Sequence, residues 1–299
     1  GAAGNAITTG IGPDIVNSQG AITGLISTGD GIDAVTLTDG SLNGGIDLGL
    51  GDDTATITSP TNISQTVSLN GGTGTDILTF SGITLRGFSG ADNIANGSNI
   101  TNFETINLNA ASSLTLTGNL DTTAAGFVNI AGTSTLNASG GSFTVTGSVN
   151  NSGVVSLIEA VPAADDILTI SANYTGATGA ALNLATVFNA GGVATQSDQL
   201  FITGNSVLGS GPTTLNITNV GGAGALTTGN GILVVNVTGT SAANAFVLPA
   251  PGYIDAGGYR YVLVQVSGSW FLQSSRATAV ADSGVTANNT AVTLAAALS

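Results

Sequence analysis

The side chains best suited to chemistry are three aspartates that share one local pattern. Asp33, Asp53 and Asp76 each close a Gly-x-Gly-x-Asp motif, and an apolar residue follows two positions later. Carboxylate oxygens on such turns are ligands that Ca²⁺ prefers, and similar Gly-rich nonapeptides bind calcium when tandem copies face each other. The aspartates here are 20 and 23 residues apart, so the spacing favours a stacked structural corner. Asp33, Asp53 and Asp76 are the calcium candidates, and no other cofactor is expected.

Two pairs of adjacent carboxylates raise the question of catalysis. Asp52 precedes Asp53, Asp165 precedes Asp166, and glycosidases use two carboxylates to cleave polysaccharides. Neighbouring side chains in a strand point to opposite sides of it, and Arg86 is the sole cation before residue 260. The pairs are therefore interpreted as solvated corner acids, and no catalytic residue is predicted.

The missing residue types exclude whole mechanisms. The chain has no His and no Cys, and it has three Lys and Arg residues against 17 Asp and Glu. Hydrolases that depend on imidazole or thiol, and the usual zinc sites, need His or Cys. The formal net charge of -14 opposes phosphate binding, so no nucleic acid partner is expected. The composition predicts a protein that is not an enzyme.

The elements that must position these residues are short β-strands. Runs such as residues 34–37, 105–108 and 167–170 alternate apolar residues with Thr, Ser or Asn, and Gly, Asn and Asp separate them. Most links are longer than hairpin turns, which favours a coil of three short strands over a sandwich or barrel. The sequence predicts an all-β parallel β-helix, or solenoid, of about 12 to 14 coils with a rise of about 4.8 Å each.

The C-terminal third differs from the rest and is predicted to cap the open end of the solenoid. Strands lengthen, the single Trp appears, and residues 267–269 offer a hairpin turn between two long strands. Large side chains at alternate positions share one face of such a hairpin. The predicted folding cap consists of nine residues: Ile232, Val234, Phe246, Leu248, Tyr259, Tyr261, Leu263, Trp270 and Leu272.

An ordered series of motifs in this region resembles a known family. Residues 198–204 read Asp-Gln-Leu-Phe-Ile-Thr-Gly, and a Thr-Thr-Leu strand, a Gly-Ile-Leu-Val-Val block, a Phe-Val-Leu strand, a Tyr-Arg-Tyr-Val-Leu strand and a Trp-Phe-Leu-Gln-Ser strand follow. This succession over residues 196–275 is similar to the pertactin-like C-terminal region of autotransporter passenger domains.

The resemblance implies a right-handed β-helix that crosses an outer-membrane translocator barrel, which would lie outside this chain. It also implies that the C-terminal segment is an autochaperone that folds first outside a Gram-negative cell. We expect residues 1–195 to form the β-helix body, residues 196–275 the autochaperone cap, and residues 276–299 a linker or tail. The absence of Cys fits a chain that stays unfolded while it threads a pore.

Three functions remain open on this reading. A surface-displayed adhesin or scaffold would bind host or neighbouring cells through many weak contacts. A self-assembling filament or surface-layer subunit is the alternative, because Val, Ile and Thr are frequent and Lys and Arg are scarce. A polysaccharide-acting enzyme is the third, because the solenoid fold also supports such activities.

Overall fold

Short strands make up almost all the regular structure of the chain. The computed structural model describes residues 4–59, 61–63, 67–86 and 99–277, so that residues 278–299 of the expected tail lie outside it. One short 3-10 turn, Gly192–Ala194, accompanies the strands in this part of the chain. Within the same residues, no helix has the length and apolar character needed to span a membrane.

The strands of the first five coils are β1 (Asn5–Thr8), β2 (Ile15–Ser18), β3 (Ala21–Ile22), β4 (Leu25–Ser27), β5 (Ala34–Leu37), β6 (Ser41–Leu42), β7 (Gly45–Asp47), β8 (Thr54–Thr58), β9 (Asn62–Ile63), β10 (Ser68–Asn70), β11 (Ile77–Ser81), β12 (Thr84–Arg86), β13 (Asn99–Thr101), β14 (Thr105–Asn109) and β15 (Ser113–Thr115). The strands that follow are β16 (Leu120–Asp121), β17 (Phe127–Ile130), β18 (Thr135–Asn137), β19 (Ser142–Thr146), β20 (Ser148–Asn151), β21 (Val154–Ser156), β22 (Ile167–Ile170), β23 (Tyr174–Gly176), β24 (Ala181–Thr186), β25 (Gln199–Ile202), β26 (Ser206–Leu208), β27 (Thr213–Asn219), β28 (Ile232–Val237), β29 (Phe246–Val247), β30 (Ile254–Ala256), β31 (Tyr259–Val266) and β32 (Ser269–Arg276).

Every third strand lies beside its predecessor, which makes the chain a parallel β-helix with three faces. The first face runs β1-β4-β7-β10-β13 and continues with β16-β19-β22-β25-β28. The second runs from β2 to β26, and the third contains β3-β6-β9 and then β12 to β29. Three consecutive strands form one coil, and all the pairs between coils are parallel. The predicted solenoid is confirmed, whereas its right-handedness stays a prediction.

The number of coils was overestimated. Strands β1 to β27 form nine coils, and β28, a bridge at Ser241 and β29 form a tenth. Residues Leu25 and Gly45 of adjacent coils are 20 positions apart, but Leu200 and Val235 are 35 apart. The later coils carry longer loops between their strands, so each of them uses more residues than was expected from the sequence. The chain therefore forms ten coils instead of the expected 12 to 14. The rod is about 45 Å long at the usual strand spacing.

Alternating side chains build the core of each coil. Along the second face, Val35, Ala55, Leu78 and Ile106 stack in register, and each is at most 1% exposed. Burial of an aliphatic side chain of this kind contributes about 1.5 to 3 kcal/mol. Each coil can bury these side chains only against its neighbours, so the interior is one continuous column.

Glycines form the corner that carries the three aspartates. The backbone φ angles of Gly29, Gly49 and Gly72 are 101°, 97° and 102°, which side-chain-bearing residues rarely adopt. A Cβ at Gly49 would also collide with the carbonyl oxygen of Gly29 in the previous coil. The repeated Gly-x-Gly-x-Asp motif thus encodes the close stacking of one corner.

The chain reverses direction at its C-terminal end. Strand β32 pairs antiparallel with β28 of the last coil, and β31 pairs antiparallel with β32. The turn between β31 and β32 contains Ser267 and Gly268, both with positive φ. The predicted β-hairpin cap is confirmed, and its strands cover an edge that parallel coiling would leave open.

Candidate functional site

The predicted folding cap is one packed cluster. Seven of its nine residues are at most 8% exposed, and Tyr259 and Leu263 are partly buried against the same core. Strands β28 and β29 of the last coil and strands β31 and β32 of the hairpin supply all but Leu248, which directly follows β29. Their alternation in sequence therefore places them where coil and hairpin meet.

Trp270 joins the hairpin to the tenth coil. Its side chain is 5% exposed, and in the antiparallel ladder it lies opposite Val235 of β28. The indole ring meets Phe246 of β29 edge to face, with ring centroids 5.7 Å apart. Its Nε1–H donates to Ser241 Oγ at 2.9 Å. One side chain thus contacts both strands of the last coil and the bridge between them.

The aromatic contacts continue into the β-helix through a residue that sequence reasoning missed. Tyr174 of β23 stacks on Phe246 with centroids 5.6 Å apart. Its hydroxyl forms a 2.9 Å hydrogen bond with Thr213 Oγ1 and accepts another of 2.9 Å from Asn151 Nδ2. Burial raises the pKa of Tyr174 to about 12. The sole signal in the sequence was a large aromatic in register with smaller residues of the preceding coils, such as Val128 and Val149.

Tyr261 anchors the long loop that precedes β28. The ring stacks on Phe188, another residue missed from the sequence, with centroids 4.7 Å apart. The hydroxyl accepts a hydrogen bond from Ala225 N at 2.8 Å and donates to Ala225 O at 2.9 Å. Ser274 Oγ donates to the same carbonyl at 2.7 Å. Both strands of the hairpin therefore hold this loop over the end of the solenoid.

An ion pair lies at the outer end of the hairpin. Arg260 Nε and Nη2 donate to the two carboxylate oxygens of Asp255 at 2.9 and 3.1 Å. The hydrogen bond from Arg260 lowers the pKa of Asp255 and raises that of Arg260. The guanidinium also lies 3.5 Å from the ring centroid of Tyr253. This exposed group orients β30 against β31 and is not available to bind a substrate carboxylate.

The calcium candidates stack in one corner of successive coils, as their spacing predicted. Asp33 Oδ1 accepts a hydrogen bond from Asp14 N at 2.8 Å, and Asp53 Oδ1 accepts one from Asp33 N at 2.7 Å. Asp76 Oδ1 accepts one from Asp53 N at 2.8 Å, and Glu104 Oε2 continues the series with Asp76 N at 2.7 Å. Asp14, in a Gly-x-Gly-Pro-Asp copy of the motif, and Glu104 were missed from the sequence.

The adjacent carboxylates do not form catalytic pairs. Asp53 is buried, whereas Asp52 is exposed and accepts a hydrogen bond from Thr75 N at 2.8 Å. Asp166 is buried and accepts hydrogen bonds from Gly141 N at 2.5 Å and Gly140 N at 3.0 Å, whereas Asp165 is exposed. The two members of each pair thus lie in different environments, as the alternation predicted, but the interpretation of both as solvated acids was wrong, because Asp53 and Asp166 are buried and accept backbone N–H groups of the corners.

A different carboxylate, Glu159, approaches the second pair. One ligand oxygen each from Glu159, Asp165 and Asp166 lie within 4.8 Å of one another. Burial first, and then the Glu159 carboxyl, raise the pKa of Asp166 to about 6, although the hydrogen bonds from Gly140 and Gly141 lower it. Glycosidases place their carboxyl groups about 5 Å or more apart around a sugar. Since Asp166 is 1% exposed and bonded to backbone, this group holds a loop against a corner.

Comparison with known protein families finds a match that includes most of the predicted cap. The family model for the type 1 autochaperone domain matches residues 143–263, from β19 into β31. The match begins earlier than the predicted cap, whose boundary at residue 196 stays a prediction.

Two proteins of Escherichia coli (strain K12) resemble the chain. YuaQ, described as an uncharacterized protein, is 44% identical over 159 residues, or 52% of this chain and 11% of its own length. YfaL, described as a probable autotransporter, is 32% identical over 222 residues, or 73% of this chain and 14% of its own length. The chain thus spans a small part of each relative. Together with the autochaperone match and the capped parallel β-helix, these likenesses show that the chain belongs to the autotransporter passengers and carries an autochaperone region.

Proposed function

We propose that this passenger segment is a non-catalytic surface scaffold whose C-terminal cap folds first and serves as the template for the remaining coils. The observation that carries the proposal is the antiparallel hairpin of β31 and β32, which pairs with β28 and closes the last coil. Its Trp270 contacts Ser241 and Phe246 of the last coil, and its Tyr261 contacts the loop before β28 at Ala225.

Loop-closure entropy favours the hairpin as the first structure to form. Strands β31 and β32 pair across a turn of two residues, whereas residues paired between parallel coils are 19 to 35 positions apart. Contacts between nearby residues form sooner because less chain entropy is lost before they form. Each further coil can then pair its strands with the edge of the coil that is already folded and pack its apolar side chains against that coil.

This folding would take place on the outside of a Gram-negative cell. In the longer parent protein, an outer-membrane translocator barrel would export the chain in an unfolded state. The C-terminal region would then be the first part of the chain to fold. The absence of Cys avoids disulfides that would block threading, and the net charge of -14 keeps the emerging chain soluble. The cap would then hold the segment at the cell surface as a rigid rod.

The outward faces of the rod are suited to weak, repeated contacts with host or neighbouring cells. Asn150 Nδ2 donates to Asn129 Oδ1, and Asn129 Nδ2 donates to Asn107 Oδ1, both at 2.8 Å. Such ladders fix polar groups in rows at about 4.8 Å intervals, which suits polyvalent binding. We assign adhesion to these faces rather than to a single pocket.

Surface display of the parent protein tests the folding role. Cells that carry the wild-type segment should show a protease-resistant passenger, whereas Trp270→Ala should leave it protease-sensitive at the surface. Phe80→Ala, which removes a fully buried ring from the fourth coil, is the control and should spare the C-terminal coils. Equal resistance of wild type and Trp270→Ala would overturn the template role.

Attachment assays test the adhesive role separately. The purified chain should bind host or bacterial cells and inhibit attachment of cells that display it, and urea-denatured chain should do neither. The enzymatic alternative requires turnover of a glycan that is lost in Asp52→Asn/Asp53→Asn. No turnover on acidic or neutral glycans is expected, and turnover would refute the non-catalytic proposal.

Self-assembly is a second candidate, favoured by apolar side chains on the outside of the first coils. Ile11, Ile32 and Leu50 are 88%, 66% and 51% exposed. Ile11 bridges to Asp30, which bridges to Leu50, so these residues line one corner. Sedimentation across concentrations distinguishes the two functions: a filament subunit associates, and Leu50→Ser weakens the association, whereas a scaffold stays monomeric.

A further inference from the structure

The corner stack formed by Asp33, Asp53 and Asp76, here called the aspartate stack, leaves part of its bonding capacity unused. The three residues are 1%, 0% and 0% exposed. Each Oδ1 accepts a backbone N–H, but each Oδ2 is buried without a hydrogen-bond partner. A carboxylate oxygen that loses its water shell and gains no donor is costly, so this arrangement calls for a positive partner.

A second acid stack shows that backbone capping alone does not require free oxygens. Asp166 accepts one N–H on each of its two oxygens. Asp198 likewise accepts Asp166 N on Oδ1 at 3.1 Å and Ala185 N on Oδ2 at 2.6 Å. Backbone hydrogen bonds thus account for the whole of that stack but for half of the aspartate stack.

The surroundings of the aspartate stack are acidic. The charges of Asp53, Glu104 and Asp52 act on Asp76, those of Asp33 and Asp52 act on Asp53, and Asp14 follows at the N-terminal end. Burial and then these carboxylates raise the pKa of Asp76 to about 6, against the hydrogen bond from Asp53 N that lowers it. Arg260 and Arg276 lie in the hairpin at the other end of the rod. Among the side chains that the structure describes, which do not include that of Arg86, no cation neutralises the stack.

We propose that the aspartate stack is a divalent-cation site in which Ca²⁺ lies between the free Oδ2 atoms of successive coils. The donors are hard oxygens, as Ca²⁺ prefers, and Ca–O distances are about 2.3 to 2.6 Å. For free Oδ2 atoms that are spaced like the coils, about 4.8 Å apart, an ion midway between two of them lies within that distance of both. Mg²⁺, with distances of about 2.0 to 2.1 Å, fits this spacing less well.

The stack lies close enough to the surface for an ion to enter. Each aspartate directly follows an exposed residue, namely Ile32, Asp52 or Thr75. Water would complete the coordination that Ca²⁺ requires. The site would tie coils two, three and four together, far from the cap at the other end of the rod.

Calcium titration of the full 299-residue chain, first stripped with chelator, tests the proposal. At pH 7.5 and free Ca²⁺ about 100-fold above the Kd, the thermal midpoint should rise by about 5 °C or more. Hydrogen exchange should show added protection in residues 10–80 and little in the hairpin. Lowering the pH to 5 should reduce the shift, since protons compete for the same oxygens.

Three variants locate the site. Asp53→Asn keeps an acceptor for Asp33 N and removes the central charge, so it should lose at least about tenfold in Ca²⁺ affinity. Asp39→Asn, an exposed residue of the same region whose Oδ1 accepts Gly40 N, should bind as wild type. Glu159→Gln, in the other acid group, should also bind as wild type.

The outcomes are decisive even if Asp53→Asn folds poorly. A wild-type midpoint that rises at acid pH but ignores Ca²⁺ would mean that protons alone neutralise the stack, and the proposal would be wrong. Calcium binding that is lost in Glu159→Gln, or extra protection confined to residues 140–200, would place the ion elsewhere and would equally overturn it.

Discussion

Replacing Trp270 with Ala tests whether the cap is the folding nucleus. The indole is 5% exposed, meets Phe246 at 5.7 Å and donates to Ser241 Oγ. Loss of a buried aromatic of this size costs about 3 to 5 kcal/mol. If these contacts exist in the transition state, the whole cost appears in the folding rate.

The corresponding change in rate is large. Each 1.36 kcal/mol is a tenfold change, so refolding of Trp270→Ala should slow by about 100-fold or more. Trp270→Phe keeps an aromatic ring and loses one hydrogen bond, which costs about 0.5 to 1.5 kcal/mol, and should slow refolding about tenfold or less. Trp270 is the single Trp, so far-UV circular dichroism after stopped-flow dilution from urea is the appropriate assay.

Phe80→Ala is the matched control in the β-helix body. Phe80 is fully buried between Ile57 and Leu108, so its loss should destabilise the fourth coil by a similar amount. Because that coil forms after the nucleus, faster unfolding and a nearly unchanged refolding rate are expected. Unchanged refolding of Trp270→Ala, together with slowed refolding of Phe80→Ala, would refute the assignment of the nucleus to the cap.

Three further changes probe the coils, the corners and the hairpin. Burial raises the pKa values of Asp76, Asp166 and Asp198 from 3.8 to about 6. The stability that their protonation contributes is therefore fully present below pH 3.8, and it is lost as the pH rises through about 6. In chelator, the urea midpoint should therefore be higher at pH 5 than at pH 7.5, and an equal or lower midpoint at pH 5 would contradict this. Tyr261→Phe leaves the N–H of Ala225 without its partner and removes one of the two donors to the Ala225 carbonyl, so it should cost about 1 to 3 kcal/mol in urea unfolding. A change below about 0.5 kcal/mol would show that water replaces the hydroxyl. Deletion of residues 1–44, the first two coils, should leave the remaining coils folded by circular dichroism, because each coil contacts only its neighbours, and collapse of the whole chain would contradict nearest-neighbour stabilisation.

The fold was largely predictable because its signals are local. The alternation in residues 34–37 matches the buried positions Val35 and Leu37 of β5. The break at residues 267–269 likewise marks the turn of the hairpin. Strand identity and hairpin turns depend on near neighbours in sequence, so a pattern of a few residues is enough to predict them.

The contacts between coils were not predictable, because register depends on loop lengths. Tyr174 meets Phe246 across 72 positions, and Phe188 meets Tyr261 across 73. Coil lengths vary from 19 to 35 residues, so no fixed period brings such pairs together. Glu104 was missed for a different reason. It occupies the position that an aspartate holds in the preceding coils, but no Gly-x-Gly motif comes before it.

The order in which the coils form during refolding tests the central claim most directly. Pulsed hydrogen exchange, read out by mass spectrometry of peptic fragments, reports when each coil becomes protected. Protection should appear first in residues 232–276, then in residues 143–220, and last in residues 5–58. Earliest protection in residues 5–58, or simultaneous protection along the rod, would contradict a solenoid that grows from its C-terminal cap.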